Sequence, residues 1–369
     1  WWFIGTYLVY GQWKQLVVDG IVKLAAAHTV TGDPVYARKA AILLDRVADL
    51  YPTFDWRAQG IMYDQPADAP GYVSYWCDAC QEGYPLVLAY DQIFEAIRND
   101  GELAAFLSKR AARAGLTNTK RTPEDVRRNI EERLLQDMVD NRDKIHCNYP
   151  LMHDLVILIE AILGWPGNRE AVYRRIGDVV RQTTAVDGVT GEKGLSAYSS
   201  FTISRMAWFL ALFTRVDPAF LPDLMRHVPT LRRTYRFHID TKCLGQRYYP
   251  QEGDCGWFAA PAEQYPGLVV TRKPGILPSM FAFLWDLYKA TGDATYAQLM
   301  VRNNDGTTND LPYDLFADDP AALQQEVGNL IAREGTEIRT ASIDLRDWHL
   351  AILRGGAGEA QRPRGLGRA

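Results

Sequence analysis

The sequence predicts a mainly α-helical protein assembled from helical hairpins, and three observations carry that prediction. Apolar residues recur at three- and four-residue spacing through most of the 369 positions, the period of a helix with one face in a core. Start signals recur with them. Asp33-Pro34 sets a capping side chain before a proline at the first helical position, and Thr122-Pro123-Glu124-Asp125 does the same with acids in the first turn. A hairpin motif also occurs twice: Thr31-Gly32-Asp33-Pro34-Val35-Tyr36-Ala37 is echoed by Thr291-Gly292-Asp293-Ala294-Thr295-Tyr296-Ala297. Each copy follows an apolar helix, turns at Gly-Asp and opens a second helix with Tyr-Ala, which is the connection of a helical hairpin.

In chain order, helices are expected over 13–29, 34–51, 84–98, 123–143, 150–163, 168–184, 199–214, 217–236, 277–291 and 320–333. Two copies of one motif are not a strict period, so a regular solenoid is not demanded. Ten to twelve helices joined as hairpins fit an incomplete (α/α) toroid, in which each hairpin supplies an inner and an outer helix. An inner helix is apolar nearly all round, and 151–163 is broken only by His153, Asp154 and Glu160. Strand alternation comes late, over 336–345, with a second short run over 348–353. These two strands are expected to open a β domain that the chain does not complete. A hairpin so short is not stable alone, so it packs on the helical body or is loose. The domains are therefore 1–335, helical, and 336–369, the first strands plus a Gly/Arg-rich tail from Arg354 that reads as flexible or cut short.

Composition excludes several classes. Lys plus Arg is 41 and Asp plus Glu is 45, a net charge of -4, so no global basic field draws the chain to nucleic acid or an anionic membrane. No run approaches the roughly 18–20 apolar residues of a membrane span. The chain starts Trp1-Trp2-Phe3, and no signal peptide is visible. Ten Trp and 19 Tyr fill a core, and the same flat rings suit sugar binding. The five cysteines are irregularly spaced and do not form a disulfide framework. Cys77 and Cys80 have C-x-x-C spacing without a second pair, so inert thiols are the default over zinc or redox chemistry. Cys243 and Cys255 flank a loop and would pair in an oxidising compartment. Phosphate-loop, dinucleotide and nucleophile-elbow motifs are absent.

Two loci remain as carriers of chemistry. In His146-Cys147-Asn148-Tyr149-Pro150-Leu151-Met152-His153-Asp154, Asn148 stands before an apolar helix as either a cap or a ligand group. His153 lies just inside that helix, as either a base or a satisfied histidine. In Asp187-Gly188-Val189-Thr190-Gly191-Glu192-Lys193-Gly194-Leu195-Ser196-Ala197-Tyr198, a Gly-rich loop joins two helices, where sites are built and where glycines also serve plain turns.

The pattern Asp-Gly-x-x-x-Glu followed by Tyr, about fifty residues beyond the Asn/His helix start, resembles the heparinase II/III-like family of polysaccharide lyases. So do Leu88-Ala89-Tyr90-Asp91, the two Thr-Gly-Asp hairpins and Tyr249-Pro250-Gln251-Glu252-Gly253-Asp254. The similarity covers roughly residues 10–355. The resemblance implies an (α/α) toroid followed by an antiparallel β-sandwich, of which the late strands are the truncated start. It also implies β-elimination on uronic-acid polysaccharides of heparin, heparan sulfate or alginate type, and a periplasmic or secreted location. No cofactor is required; in the family a zinc can sit as a structural ion in the part of the sandwich that is missing. The family takes a further catalytic His from that sandwich, so this chain is expected to be incomplete as a catalyst.

Carried over residue by residue, Asn148 would bind the substrate carboxylate and spread the enolate charge. Tyr198 would donate the proton to the leaving oxygen, with the role of base open between it and His153. His153 would be base or a second neutralising group. Glu192 would orient one of these or touch substrate, unless it is a solvated loop carboxylate. Arg205, two helical turns past Tyr198, would be the cation that lowers the phenol's pKa, or a packing arginine. Tyr75, Trp76, His146 and Tyr249 complete the substrate-binding candidates. Arg232, Arg233, Arg236, His238 and Arg247 form a basic stretch that suits an acidic glycan or a solvated helix face. A glycoside hydrolase with Asp154 and Glu192 as its two acids, a uronyl epimerase and a non-catalytic glycan-binding toroid are the competing expectations.

Overall fold

The structure, a computed structural model, describes residues 11–54, 78–190, 198–241, 278–311 and 318–355, with no side-chain placement for 78, 198–201, 204, 238, 278–281 and 303. It is mainly helical, with one small antiparallel two-stranded sheet. Contacts divide it into two compact units, Trp1–Ile176 and Gly177–Ala369.

In the first unit a π-helical stretch, Trp13–Val18, runs into α1 (Asp19–Thr31), which the Thr-Gly-Asp turn joins to α2 (Pro34–Leu50). Gly32 ends α1 at φ 70°, its N–H donating to the His28 carbonyl at 2.7 Å. A residue with a Cβ is strained in that left-handed region. The Asp33 carboxylate then accepts the Val35 N–H at 2.9 Å and Pro34 occupies the first helical position. After α3 (Asp78–Ile97) comes α4 (Gly101–Arg113), a helix outside the expected set. Its signals are nonetheless in the sequence: the Asp100 carboxylate accepts the Leu103 N–H at 3.0 Å, and Leu103, Ala104, Leu107 and Ala111 form its buried face.

The expected helix over 123–143 forms as α5 (Pro123–Ile130), a π-helical stretch Glu131–Gln136, and α6 (Asp137–Asp140). Thr122 and Asp125 complete a reciprocal capping box at its start. A short turn, Arg142–Ile145, leads to α7 (Leu151–Gly164). Leu155, Val156, Ile157, Leu158, Ile159 and Ala161 are all buried, so α7 is apolar nearly all round, as an enclosed helix must be. Helices α1, α2 and α3 pack on one another, and α3 packs on α7. A Cβ at Gly83 of α3 would stand 3.0 Å from Leu155 Cδ2 and 3.1 Å from Met138 Sδ, which is why the two helices can close there.

Helix α8 (Arg169–Thr183) links the units in sequence. The second unit continues with α9 (Tyr198–Val216). The single helix expected over 217–236 is instead two, α10 (Phe220–His227) and α11 (Leu231–Asp240). Pro229 has no N–H to continue the ladder and forces Val228 to φ -128°, ψ 77°. Then come α12 (Pro278–Thr291) and α13 (Thr295–Asn303), joined by the second Thr-Gly-Asp turn, and α14 (Pro320–Glu334). That turn repeats the first atom for atom: Gly292 at φ 73° donates to the Tyr288 carbonyl at 2.7 Å, and the Asp293 carboxylate accepts the Thr295 N–H at 3.0 Å. Arg236 of α11 pairs with Asp240 at 2.6 Å and Asp293 at 3.2 Å. This member of the basic stretch therefore holds a turn in place.

The strands are shorter than expected, β1 (Ile343–Leu345) and β2 (Leu350–Ile352), paired antiparallel with Asp344 opposite Ala351. They are not loose. The Asp187 carboxylate accepts the backbone N–H groups of Asp347 and Trp348 at 2.8 and 3.2 Å, and Arg354 donates to the Asp240 carbonyl at 2.5 Å. No helix among the described residues is long and apolar enough to cross a membrane.

Candidate functional site

The first locus is built by the approach to α7. Arg142–Ile145 ends α6, residues 146–150 cross to the helix, and Leu151 donates to the Asn148 carbonyl at 2.9 Å. Asn148 thus meets the helix through its backbone, and no side chain caps α7. Its carboxamide is half-buried, with no side-chain hydrogen bond to another described residue. His146 is exposed and Cys147 is buried.

One turn into α7, His153 is half-buried beside the Tyr149 ring, with centroids 5.0 Å apart. Its Nδ1 is enclosed and has no hydrogen-bond partner. An imidazolium would carry a proton on that nitrogen with nothing to accept it, a costly state. Burial first, then the positive charges of Arg142 and Arg175, hold His153 below the usual histidine range. Arg142 is exposed, its Nε donating to the Val139 carbonyl at 3.3 Å, while Arg175 pairs with Glu160.

The adjacent Asp154 is 4% exposed, and burial alone pushes its carboxyl well above the usual carboxylate range. Burial disfavours the charged carboxylate, which is the physical cause of that rise.

The second locus begins with a structural corner. Asp187 (φ 52°) and Gly188 (φ 95°) turn the chain between the bridged Val186 and Val189. The Thr234 hydroxyl donates to the Gly188 carbonyl, and a Cβ on Gly188 would lie 2.6 Å from Arg233 Cβ. With its carboxylate on the β-hairpin and Arg233 Nη1 at 3.9 Å, Asp187 is a scaffold residue. The glycine here serves close backbone approach.

Tyr198 is the first residue of α9, and its side chain lies outside the described set. Glu192, Tyr75, Trp76 and Tyr249 also lie outside the described residues, as do Cys77, Cys243, Cys255 and Arg247. Arg205 stands over the Trp208 ring, 5.2 Å from its centroid. Asn148 and His153 thus lie on either side of the start of α7, five residues apart in the chain. Sequence reasoning missed Arg142 and Arg175. Arg142 sits in the charged run Asp140-Asn141-Arg142-Asp143-Lys144, which reads as a solvated turn, and only the fold sets it near His153. Among the described residues no group of three or more His, Cys, Asp or Glu is placed to hold a metal ion.

A scan against protein-family models and a search of the curated proteins both return no match to this chain.

Proposed function

We propose that the chain is a polysaccharide lyase acting on uronic-acid glycans of heparin, heparan sulfate or alginate type by β-elimination. One observation carries the reading: His153, in the first turn of the helix that Asn148 precedes, has an enclosed Nδ1 without a partner among the described residues, and burial followed by the Arg142 and Arg175 charges holds it below the usual histidine range. A neutral imidazole is a base at neutral pH. The proton on C5 of a uronate is weakly acidic because the attached carboxylate is already negative. Removing it requires that carboxylate to be neutralised while charge builds on its oxygens.

In this reading Asn148 hydrogen-bonds the carboxylate, with the Arg142 field favouring the anion. His153 takes the C5 proton. The electron pair forms the C4–C5 double bond as the C4–O bond breaks, and Tyr198 protonates the departing oxygen. Tyr198 suits that role because a phenol of pKa about 10 keeps its proton until it is needed. Glu192, Tyr75, Trp76, His146 and Tyr249 are proposed to orient these groups or contact substrate.

The test is ultraviolet absorbance of the conjugated product while the protein is mixed in turn with heparin, heparan sulfate, chondroitin sulfate, hyaluronan and alginate. A rise with one glycan that Tyr198→Phe abolishes and His153→Gln lowers by about 100-fold or more, the usual scale of a lost general base, supports elimination. Glycan binding without any rise assigns recognition alone.

A further inference from the structure

The β1–β2 hairpin is fastened at both of its ends. At its turn, the buried Asp187 carboxylate accepts the Asp347 and Trp348 N–H groups at 2.8 and 3.2 Å. At its open end, Ser342 Oγ accepts the Arg354 N–H at 2.9 Å, and the Arg354 guanidinium donates to the Ala341 and Asp240 carbonyls, each at 2.5 Å. Three residue pairs join the strands. Ile343, Leu345, Leu350 and Ile352 on one face are only half-buried, and Asp344 and Ala351 on the other are exposed. A two-stranded hairpin of this size is not stable alone, so its order depends on the two fastenings. The points to which it is fastened are the roots of two further segments. Asp187 stands five positions before Glu192 and eleven before Tyr198, and Asp240, the last residue of α11, stands nine before Tyr249. The start of α11 is tied to the first root as well: Thr230 Oγ1 lies 2.6 Å from Thr184 Oγ1, and the Thr234 hydroxyl donates to the Gly188 carbonyl. Asp187 and His349, both at the docked turn, hold φ 52°. Residues with a Cβ keep that left-handed backbone where their surroundings impose it.

We infer that the hairpin is a strap that holds the roots at Asp187 and Asp240 as one cooperative unit. Asp187 and Arg354 are then positioning residues for the segments that lead to Glu192, Tyr198 and Tyr249. The roles of those three residues rest on the proposed lyase function, whereas the strap rests on the hydrogen bonds alone. Cooperativity follows from the hairpin's small size. Release at the turn removes one of two supports from a structure that cannot stand by itself, so the open end gives up Asp240 as well. Release at the open end frees the turn in the same way. Two local contacts without a strap between them would fail one at a time, and their losses would add.

The test is amide hydrogen exchange on the full chain, paired with the absorbance assay on the same samples. The variants are Asp187→Asn, which keeps a residue type tolerant of positive φ, Arg354→Gln, Arg354→Lys, and the Asp187→Asn/Arg354→Gln double. Asp187→Asn should speed exchange at Asp347 and Trp348 by about tenfold, the scale of a weakened hydrogen bond to a charged group, and by a similar factor at the Arg354 N–H at the far end. Arg354→Gln should likewise speed exchange at Asp347 and Trp348. The Gly188 and Thr241 N–H groups, bonded to the Thr184 and Phe237 carbonyls, report the two roots and should quicken in both variants. The double variant should exceed neither single one by more than about twofold, the mark of a shared interaction. Arg354→Lys, whose ammonium still reaches one carbonyl, should keep most of the protection, and product formation should follow the exchange. Exchange that quickens only at the altered end, with effects that multiply in the double variant, overturns the strap whatever the absorbance shows. Coupled exchange with full product formation in both single variants overturns the positioning role. Coupled exchange while no glycan gives a rise upholds the strap and removes the lyase reading alone. The amides of Leu284 and Leu287, buried in α12, monitor the global fold. Where a stronger variant disturbs them, the milder Arg354→Lys gives the same comparison of the two ends.

Discussion

His153 and Asp154 are neighbours in sequence that burial pushes in opposite directions, each towards neutrality. For His153 the folded pKa is lowered, so the folded state binds protons less readily than the unfolded chain. Its contribution to stability is present above the ordinary histidine range and is lost as pH falls through it. The acid limb of kcat/KM on the preferred glycan should accordingly lie below the ordinary value of about 6.5. A pH–rate profile with its limb at or above that value would remove His153 as base. For Asp154 the folded pKa is raised. Stability then falls as pH rises from the unfolded value of about 3.9 towards the folded one. Asp154→Asn should flatten that fall and raise the melting temperature at pH 7, as read by thermal denaturation across a pH series. Two further acids, the buried Asp45 and the half-buried Asp49, have a different solution. Asp45 and Asp49 share Lys120, itself 1% exposed, at 3.1 and 2.5 Å, and Asn129 donates to Asp45 at 2.8 Å. Lys120→Ala strands two carboxylates in the core and should cost about 3–5 kcal/mol in urea unfolding. A loss below about 1 kcal/mol would mean that water replaces the ammonium.

At the level of elements, legibility followed how local the determining contact is. The two Thr-Gly-Asp turns were readable because every hydrogen bond that makes them falls within a few residues, from His28 to Val35 and from Tyr288 to Thr295. The helix 151–163 was readable because it is apolar on every face. The break at Pro229 was missed because apolar spacing continues across it and outweighed one proline in the reading. Helix α4 was missed although Asp100 caps it and its buried face, Leu103, Ala104, Leu107 and Ala111, keeps helical spacing. The candidate site divided in the same way. Asn148 and His153 were visible as residue types beside a helix start, whereas the Arg142 and Arg175 fields come from tertiary placement. The Asp187-Gly188 corner was read as part of a site, and its scaffold role depends on contacts at 233–234 and 347–348 that no local pattern announces. Gly188→Ala combines positive φ with a 2.6 Å clash. It should destabilise by about 2–3 kcal/mol, measured as a shift in the denaturant midpoint. Asp187→Asn should raise amide exchange at 347 and 348 while leaving α9 and α12 protected.

The molecule as a whole has two cores, one in each unit, and each is closed by aromatic and aliphatic side chains from several helices. In the first, Ile21, Leu44, Ile93 and Leu134 are fully enclosed. In the second, Leu210, Leu221, Phe283 and Leu287 are, with Tyr235 edge-on to Phe283 at 5.4 Å. Each fully buried side chain of this kind contributes about 1.5–3 kcal/mol before chain entropy is subtracted. The second unit is also bound together by one very distant contact. The Asp187 carboxylate and the amides of Asp347 and Trp348 are 160 and 161 positions apart. As the chain is synthesised, helices α9 to α14 emerge while that carboxylate still lacks its two donors. The corner at Asp187-Gly188 is complete only after the ribosome has added residue 348. The unit therefore has a final latch, set late in translation, and its helices must hold their arrangement without it until then.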